Sequence, residues 1–396
     1  MMSANKIYDL VVIGGGPGGG SCAYYAAKNG AKVCLVERRK ILGVPLSCAE
    51  GISKSGLESC FQPRPNWIAT NVSGAHLHAP SGIKITIHHP DAGYILERKI
   101  MERDIVGLSA LAGAEIMTQT TAIDFIYNGK TFEGIIAVHR NKRIELCAKY
   151  VALACGTDNR LLNKLGLNPY IPPDDMIVSA EYVVGGIPVD EGYPEFFLGN
   201  EIAPGGYAWV FPKGNGLANV GIGVGFERLN GKLAVDFLNK FIHEHYRTRY
   251  EIIERITGVV PVCGPLKHLV HKNVMLIGDA GRVCDPFSGG GIANALLSGK
   301  LAGEAVAKAL SGEDLKIYEN NFFALKGREL EVHRIARKIL ITLSDKELNE
   351  LGAIVDELYG GKTFSAIDSI EFLKEIFLKH PRILLLARKL IPALFK

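Results

Sequence analysis

No apolar run in this sequence reaches the roughly 18 residues that a membrane-spanning helix needs, so no bilayer-crossing segment is expected. Charge of one sign is scarce too. The formal net charge is +4 over 396 residues, and no Lys/Arg-rich block precedes the last 25, which argues against a nucleic-acid binder. The 8 cysteines (22, 34, 48, 60, 147, 155, 263 and 284) lack CxxC spacing. Neither a metal site nor an iron–sulfur cluster is therefore expected, and most of these thiols read as small core residues of a reducing compartment. The polar start leads through a short apolar stretch, residues 10–13, straight into glycines, so no secretory leader is expected and a cytoplasmic location is.

What remains is an ordinary globular composition, 47% hydrophobic and 22% charged, long enough for two domains or one elaborated domain. Residues 8–13 read as a buried parallel strand, followed by Gly14-Gly15-Gly16-Pro17-Gly18-Gly19, a helical stretch over 21–29 and a second strand over 32–37. This is a complete βαβ unit. Gly14 permits a tight turn, Gly16 lets backbone approach a pyrophosphate, and Gly19 lets helix and strand pack closely. The helix N-terminus, which Pro17 and Gly18 open, offers the unpaired N–H groups of its non-proline residues to phosphates. Glu37 ends the second strand, where a carboxylate accepts ribose hydroxyls, and Arg38 beside it joins the expected cofactor set. The unit alone does not decide between FAD and NAD.

A second segment does. The short strand 273–277 ends in Gly278-Asp279, followed by Asp285-Pro286-Phe287-Ser288-Gly289-Gly290-Gly291 and an Ala/Leu-rich helix from Ile292 to Leu310. It resembles the GD motif of the FAD-dependent family that includes para-hydroxybenzoate hydroxylase, geranylgeranyl reductases and flavin halogenases. The resemblance implies that Asp279 binds the ribityl chain. It also implies that the three glycines and Ile292, with Pro286 beside them in the cofactor set, bring backbone N–H groups to the pyrimidine edge of the flavin, where a helix N-terminus stabilises added negative charge. Arg98, at the start of a helix, stands where the family carries an arginine reaching the flavin. After the strand 150–156 the hydroxylase branch has a serine and an arginine; here Thr157, Asp158 and Arg160 match loosely.

Two further motifs resemble those of archaeal geranylgeranyl reductases. Pro45-Leu46-Ser47-Cys48-Ala49-Glu50-Gly51 is similar to PxxCxEG, which implies Cys48 and Ala49 beside the flavin and Cys48 and Glu50 in the chemistry. Tyr207-Ala208-Trp209-Val210-Phe211-Pro212 is similar to YxWxFP, which implies that Tyr207, Trp209 and Phe211 line a lipid cavity. Many relatives have Gly in place of Ala49 and Arg in place of Ser47, so a charge-based role at position 47 lacks its residue here. Period-two spacing independently puts the three aromatics on one strand face, suited to a polyprenyl chain or to ordinary sheet core.

The expected fold class is α/β, with a discontinuous Rossmann-like FAD-binding domain (1–60, 95–170, 262–330). An antiparallel β-sheet substrate domain caps it (61–94, 171–261), and a C-terminal helical region follows (331–396). That last region carries an apolar stripe and a basic character, interrupted by Pro381 and Pro392. It packs on the body or lies on an anionic membrane surface as a peripheral contact. The resemblance implies an FAD-dependent reductase that saturates geranylgeranyl chains on archaeal-type glycerol ether phospholipids and draws on an external electron donor. A flavin monooxygenase or halogenase on an apolar substrate, or an electron-transfer flavoprotein, are the alternatives.

Overall fold

The computed structural model describes residues 7–129, 131–168, 170–247 and 249–379. The first element triplet is the expected one: β1 (Ile7–Ile13), α1 (Pro17–Lys28) and β2 (Val33–Val36). A short β3 (Gly51–Ser53) and α2 (Lys54–Glu58) lead to the long pair β4 (Ile68–His78) and β5 (Lys84–Leu96). Helix α3 (Arg98–Leu111) and β6 (Glu115–Met117) return to the first sheet, and a meander follows of β7 (Thr120–Asn128), β8 (Thr131–His139) and β9 (Lys142–Leu153). After α4 (Arg160–Lys164) come β10 (Met176–Gly185), β11 (Glu195–Phe197), β12 (Tyr207–Gly214), β13 (Leu217–Gly225), α5 (Ala234–His245) and β14 (Glu251–Pro261). The chain then forms β15 (Val270–His271), β16 (Val274–Leu276), α6 (Ile292–Leu310), α7 (Ile317–Leu340), α8 (Asp345–Tyr359) and α9 (Ser369–Lys379).

These strands make two sheets. The first runs β15-β16-β9-β1-β2-β6, with β16, β9, β1, β2 and β6 parallel, and β8 and β7 fold back from β9. Parallel strands covered on both faces must be apolar on both, which is why Leu10-Val11-Val12-Ile13 shows no alternation. Leu10 and Val12 pack with Cys22 and Ala23 of α1 and Ala302 of α6, whereas Val11 and Ile13 pack with Phe125, Phe132 and Ile135 of the meander.

The second sheet runs β14-β10-β13-β12-β11-β4-β5-β3 and is antiparallel except where β11 joins β4. Its β12–β13 hairpin turns at Asn215-Gly216, both at positive φ, as a tight hairpin turn requires. Strand β12 alternates. Ala208 and Val210 enter a core with Leu238, Phe241 and Ile242 of α5, and Tyr207, Trp209 and Phe211 face the other way, against Ile95, Ala49 and Phe196. The expectation for residues 51–53 needs a refinement: β3 pairs with β5 and so extends this second sheet.

Helices α7, α8 and α9 bury Val332, Ile339, Leu351, Val355, Leu373 and Ile376 against Ile85 and Ile87 of β5. Helix α7 runs continuously through positions 330 and 331, the boundary at which the helical region was expected to begin. The basic apolar run beyond residue 379 lies outside the described residues. Among those described, no helix is long and apolar enough to cross a membrane.

Candidate active site

Two helix N-termini meet the edge of the first sheet. At α1 the chain turns through Gly14, at φ +109°, and no side chain caps the helix. A Cβ on Gly19 would stand 1.9 Å from the Gly14 carbonyl oxygen, whereas one on Gly16 would meet nothing within 4 Å. The loop is therefore crowded towards the fold and open outwards, as a backbone cradle for phosphates must be. The Glu37 carboxylate accepts the Gly15 N–H and the Arg39 N–H, each at 2.8 Å, which fixes it beneath the loop. Arg38 turns its guanidinium to Asp158 at 3.0 Å, and Asp158 also holds Arg160. The hydrogen bond from Arg160, against the opposing effect of burial, keeps the Asp158 carboxyl below its ordinary range.

At α6 the first residue is Ile292, as the sequence suggests, and again no side chain caps the helix. Asp279 lies beside it: a Cβ on Gly291 would be 3.7 Å from Asp279 Oδ1. Burial raises the Asp279 pKa, with Arg98 opposing. Gly289–Gly291 is held from behind by Asp285, whose Oδ1 accepts the Phe287 N–H at 3.0 Å, the Ser288 N–H at 2.7 Å and the Ser288 hydroxyl at 2.9 Å. Its other oxygen binds His333 Nδ1 of α7, and His333 Nε2 reaches Ser369 of α9 at 3.0 Å. Asp285 and His333 were not foreseen; their spacing of 48 residues leaves no local signal.

The motif 45–51 approaches from the cap side. Arg98 opens α3 and pairs with Glu102 at 2.6 Å, close enough to Cys48 and Asp279 to act on both. Burial raises the Cys48 thiol pKa and Arg98 pulls it back only in part, so the sulfur stays protonated at neutral pH. The Glu50 N–H points at Cys48 Sγ, 3.2 Å away. Glu50 itself is 3% exposed and at φ +71°, a left-handed conformation that costs a non-glycine residue about 1–2 kcal/mol. Its carboxylate is fully engaged. It accepts the Arg98 N–H at 2.9 Å and the Asn219 side-chain amide at 3.0 Å, and it forms an ion pair with Lys213. Asn219 also donates to the Ala49 carbonyl at 3.1 Å. Lys213, which reads from sequence as hairpin tail, thus enters the site. The available signals were its position directly after the aromatic motif and the in-phase spacing of Asn219 on β13.

Tyr207, Trp209 and Phe211 form a continuous aromatic strip with Phe196, centroid separations running from 5.3 to 6.5 Å. Tyr207 donates its hydroxyl to the Ser288 carbonyl, tying the strip to the loop that precedes α6. Trp209 donates its indole N–H to Glu181 of β10 at 2.9 Å. Glu181, an acid inside the apolar run 176–184, is a further residue the motifs did not reveal.

The chain therefore presents an open glycine cradle, an acid at a sheet end, a second uncapped helix and an apolar wall. That donor set fits an FAD: phosphates at α1, a hydroxylated linker at Asp279, a ring edge at α6.

Comparison with known proteins agrees. A family profile described as "FAD dependent oxidoreductase" matches residues 9–164, and one described as "Geranylgeranyl reductase catalytic domain" matches residues 175–260. The chain is 38% identical to digeranylgeranylglycerophospholipid reductase 2 of Methanococcoides burtonii, covering 95% of this chain and 94% of that one. It is 41% identical to the digeranylgeranylglycerophospholipid reductase of Methanothrix thermoacetophila, covering 87% and 90%. A geranylgeranyl bacteriochlorophyll reductase-like structure from Thermoplasma acidophilum superposes with TM-score 0.92 at 33% identity, covering 97% of this chain and 99% of that one. The flavin-dependent brominase Bmp2, at TM-score 0.70 and 14% identity, shares the fold.

Proposed function

The chain belongs to the digeranylgeranylglycerophospholipid reductase family, and from that premise we propose that it is an FAD-dependent reductase saturating geranylgeranyl chains of archaeal-type glycerol ether phospholipids. The observation that carries the reading is the aromatic strip Tyr207-Trp209-Phe211 facing the motif loop that holds Cys48 and Ala49. An apolar chain laid on that strip comes to the same place as the groups suited to a flavin.

When bound and reduced, FAD supplies the hydride. The protein's own residues bind and orient. Gly14, Gly16, Pro17, Gly18 and Gly19 take the pyrophosphate, Glu37 the ribose and Asp279 the ribityl hydroxyls. The backbone of residues 289–292 faces the ring edge, and Arg98 holds the adjacent charge balance. Arg38, beside Glu37 and paired with Asp158, completes the cofactor set at this end. Cys48 presents a neutral S–H next to Arg98. We assign Glu50 a positioning part: with its carboxylate taken up by Lys213, Asn219 and the α3 N-terminus, it fixes the motif loop on the cap. An isolated alkene accepts hydride poorly, and the faces of Trp209 and Tyr207 favour the cationic character that builds as it reacts. The dinucleotide unit (1–60, 95–170, 262–330) and the cap (61–94, 171–261) divide this labour. A lipid substrate implies an external reductant for the flavin and, in our reading, peripheral contact with the membrane at its cytoplasmic face.

The test is anaerobic. The bound flavin is reduced with dithionite, a geranylgeranylated glycerophospholipid is added, and flavin absorbance and product mass are followed together. Reoxidation with a gain of two hydrogens per turnover is expected. Flavin that stays reduced until oxygen enters, and then consumes it productively, would replace this reading with a monooxygenase.

A further inference from the structure

One carboxyl group on the cap face has no part in the chemistry above. Trp209, Gly221 and Glu181 are direct cross-strand neighbours on β12, β13 and β10. With strands about 4.8 Å apart, the indole crosses the middle strand to reach the third. It can do so only because position 221 has no side chain: a Cβ there would lie 2.3 Å from Trp209 Cζ2. The indole N–H then ends on Glu181 Oε2.

Anchoring the indole does not by itself call for an acid. An amide oxygen accepts that N–H equally well, without bringing an ionisable group into the interior. Glu181 is 2% exposed, and its second oxygen, Oε1, has no hydrogen-bond partner among the described residues. Lys213, the cation on this face, is already committed to Glu50 and Glu97. The other charged groups that act on Glu181 are Glu50, from the motif loop, and Glu254 of β14, itself paired with Lys99 of α3. Burial above all, joined by Glu50 and Glu254 and opposed by the indole bond and Lys213, lifts its pKa well above the ordinary carboxylate range.

We infer that Glu181 is the acid that holds, on the cap face beside the aromatic strip, the proton needed for alkene saturation. This rests on the reductase reading. The alkene gains a hydride from the reduced flavin at one carbon and the carboxyl proton at the other. It is thereby reduced by two electrons, the flavin is oxidised by two, and the carboxylate left behind regains its proton from solvent.

Glu181→Gln keeps the indole acceptor and abolishes the proton. In the holoenzyme, reoxidation of the chemically reduced flavin by the geranylgeranylated lipid is measured from roughly pH 5 to 9. Wild type is expected to slow at the alkaline end as Glu181 ionises. Glu181→Gln is expected to be slower on the order of a hundredfold and to lose that alkaline limb, with flavin content and Trp209 emission unchanged. A Cys48→Ser variant measured alongside retains the limb. A readout independent of turnover is the infrared carbonyl band of an uncharged carboxyl at neutral pH, present in wild type and reduced in Glu181→Gln. It also serves in wild type alone, by its disappearance on alkaline titration, where the variant fails to fold. A Glu181→Gln enzyme with wild-type rate and pH profile, a limb that vanishes in Cys48→Ser instead, or a wild type without the neutral-carboxyl band would overturn the assignment. Wild type that the lipid does not reoxidise at all refutes the reductase reading, and the infrared band still decides whether Glu181 holds its proton.

Discussion

Lys213 reaches across 163 residues of sequence to form a buried ion pair with Glu50, so the motif loop 45–51 and the strand that carries the aromatic strip are fastened by one charge pair. A buried pair of this kind is neutral at best when intact and severe when half of it is removed. Lys213→Met is expected to destabilise the protein by about 3–5 kcal/mol, because it leaves the Glu50 carboxylate uncompensated. The double variant Lys213→Met/Glu50→Gln is expected to recover much of that loss. Denaturant unfolding of wild type, both single variants and the double variant gives the coupling; additive effects would show that the pair does not act as a unit.

Asp279 offers a carboxylate where a ligand carrying hydroxyls would meet it. Hydrogen bonds to a charged acceptor contribute about 1.5–3 kcal/mol each. Asp279→Ala is therefore expected to weaken FAD affinity by roughly tenfold to a hundredfold, and Asp279→Asn, which keeps an acceptor, by less. Titration of the apoprotein with FAD, followed by flavin fluorescence quenching, reads both.

The close passage of the indole over β13 makes Gly221→Ala a sharp test of the cap geometry. The added methyl must displace Trp209 or bend the strand, at about 1–3 kcal/mol for overpacking. A lower melting temperature and a red-shifted Trp209 emission, isolated in a Trp67→Phe background, are the expected outcome.

Asp285 ties the loop before α6 to α7. Burial alone would raise its pKa, but His333 and Ser288 outweigh it and hold the carboxyl below the ordinary range. A depressed folded pKa contributes stability above the unfolded value, about 3.9, and that stability disappears as pH falls through the folded value. Asp285→Asn is thus expected to be less stable than wild type at neutral pH, with the difference shrinking below about pH 4. Urea midpoints across that range measure it.

Cys48 keeps its proton because burial outweighs Arg98, so it is expected to alkylate slowly at pH 8. Rapid modification of Cys48 by iodoacetamide, located by peptide mass, would contradict this.

Much of the fold is legible because its signals are local. The βαβ unit announces itself by an apolar run, a glycine loop and a second apolar run within one stretch of chain, and α6 occupies the span its Ala/Leu pattern suggests. The motif residues Cys48, Arg98 and Asp279, drawn from three separate stretches, lie close enough for Arg98 to act on the other two. What escapes is long-range polar pairing. Lys213 reads as hairpin tail, Asn219 as one residue of the run that follows the hairpin and His333 as one polar residue of a helix. Each acquires its meaning from a partner 48 to 169 residues away. Glu181 is the one such residue that the sequence marks, as an acid among Ile177, Val178, Ala180, Tyr182 and Val183, though the run does not say what it is for.

Strand β12 keeps two records on one backbone. Its even positions, Ala208 and Val210, belong to the interior against α5, and its odd positions, Tyr207, Trp209 and Phe211, belong to the opposite face, the one proposed to meet substrate. Change at the odd positions can therefore retune which chain lengths are accepted without eroding the packing that holds the cap together. Insertion of a single residue would exchange the two sides and ruin both at once. Selection on such a strand is expected to tolerate substitution on one side and to forbid any change in length.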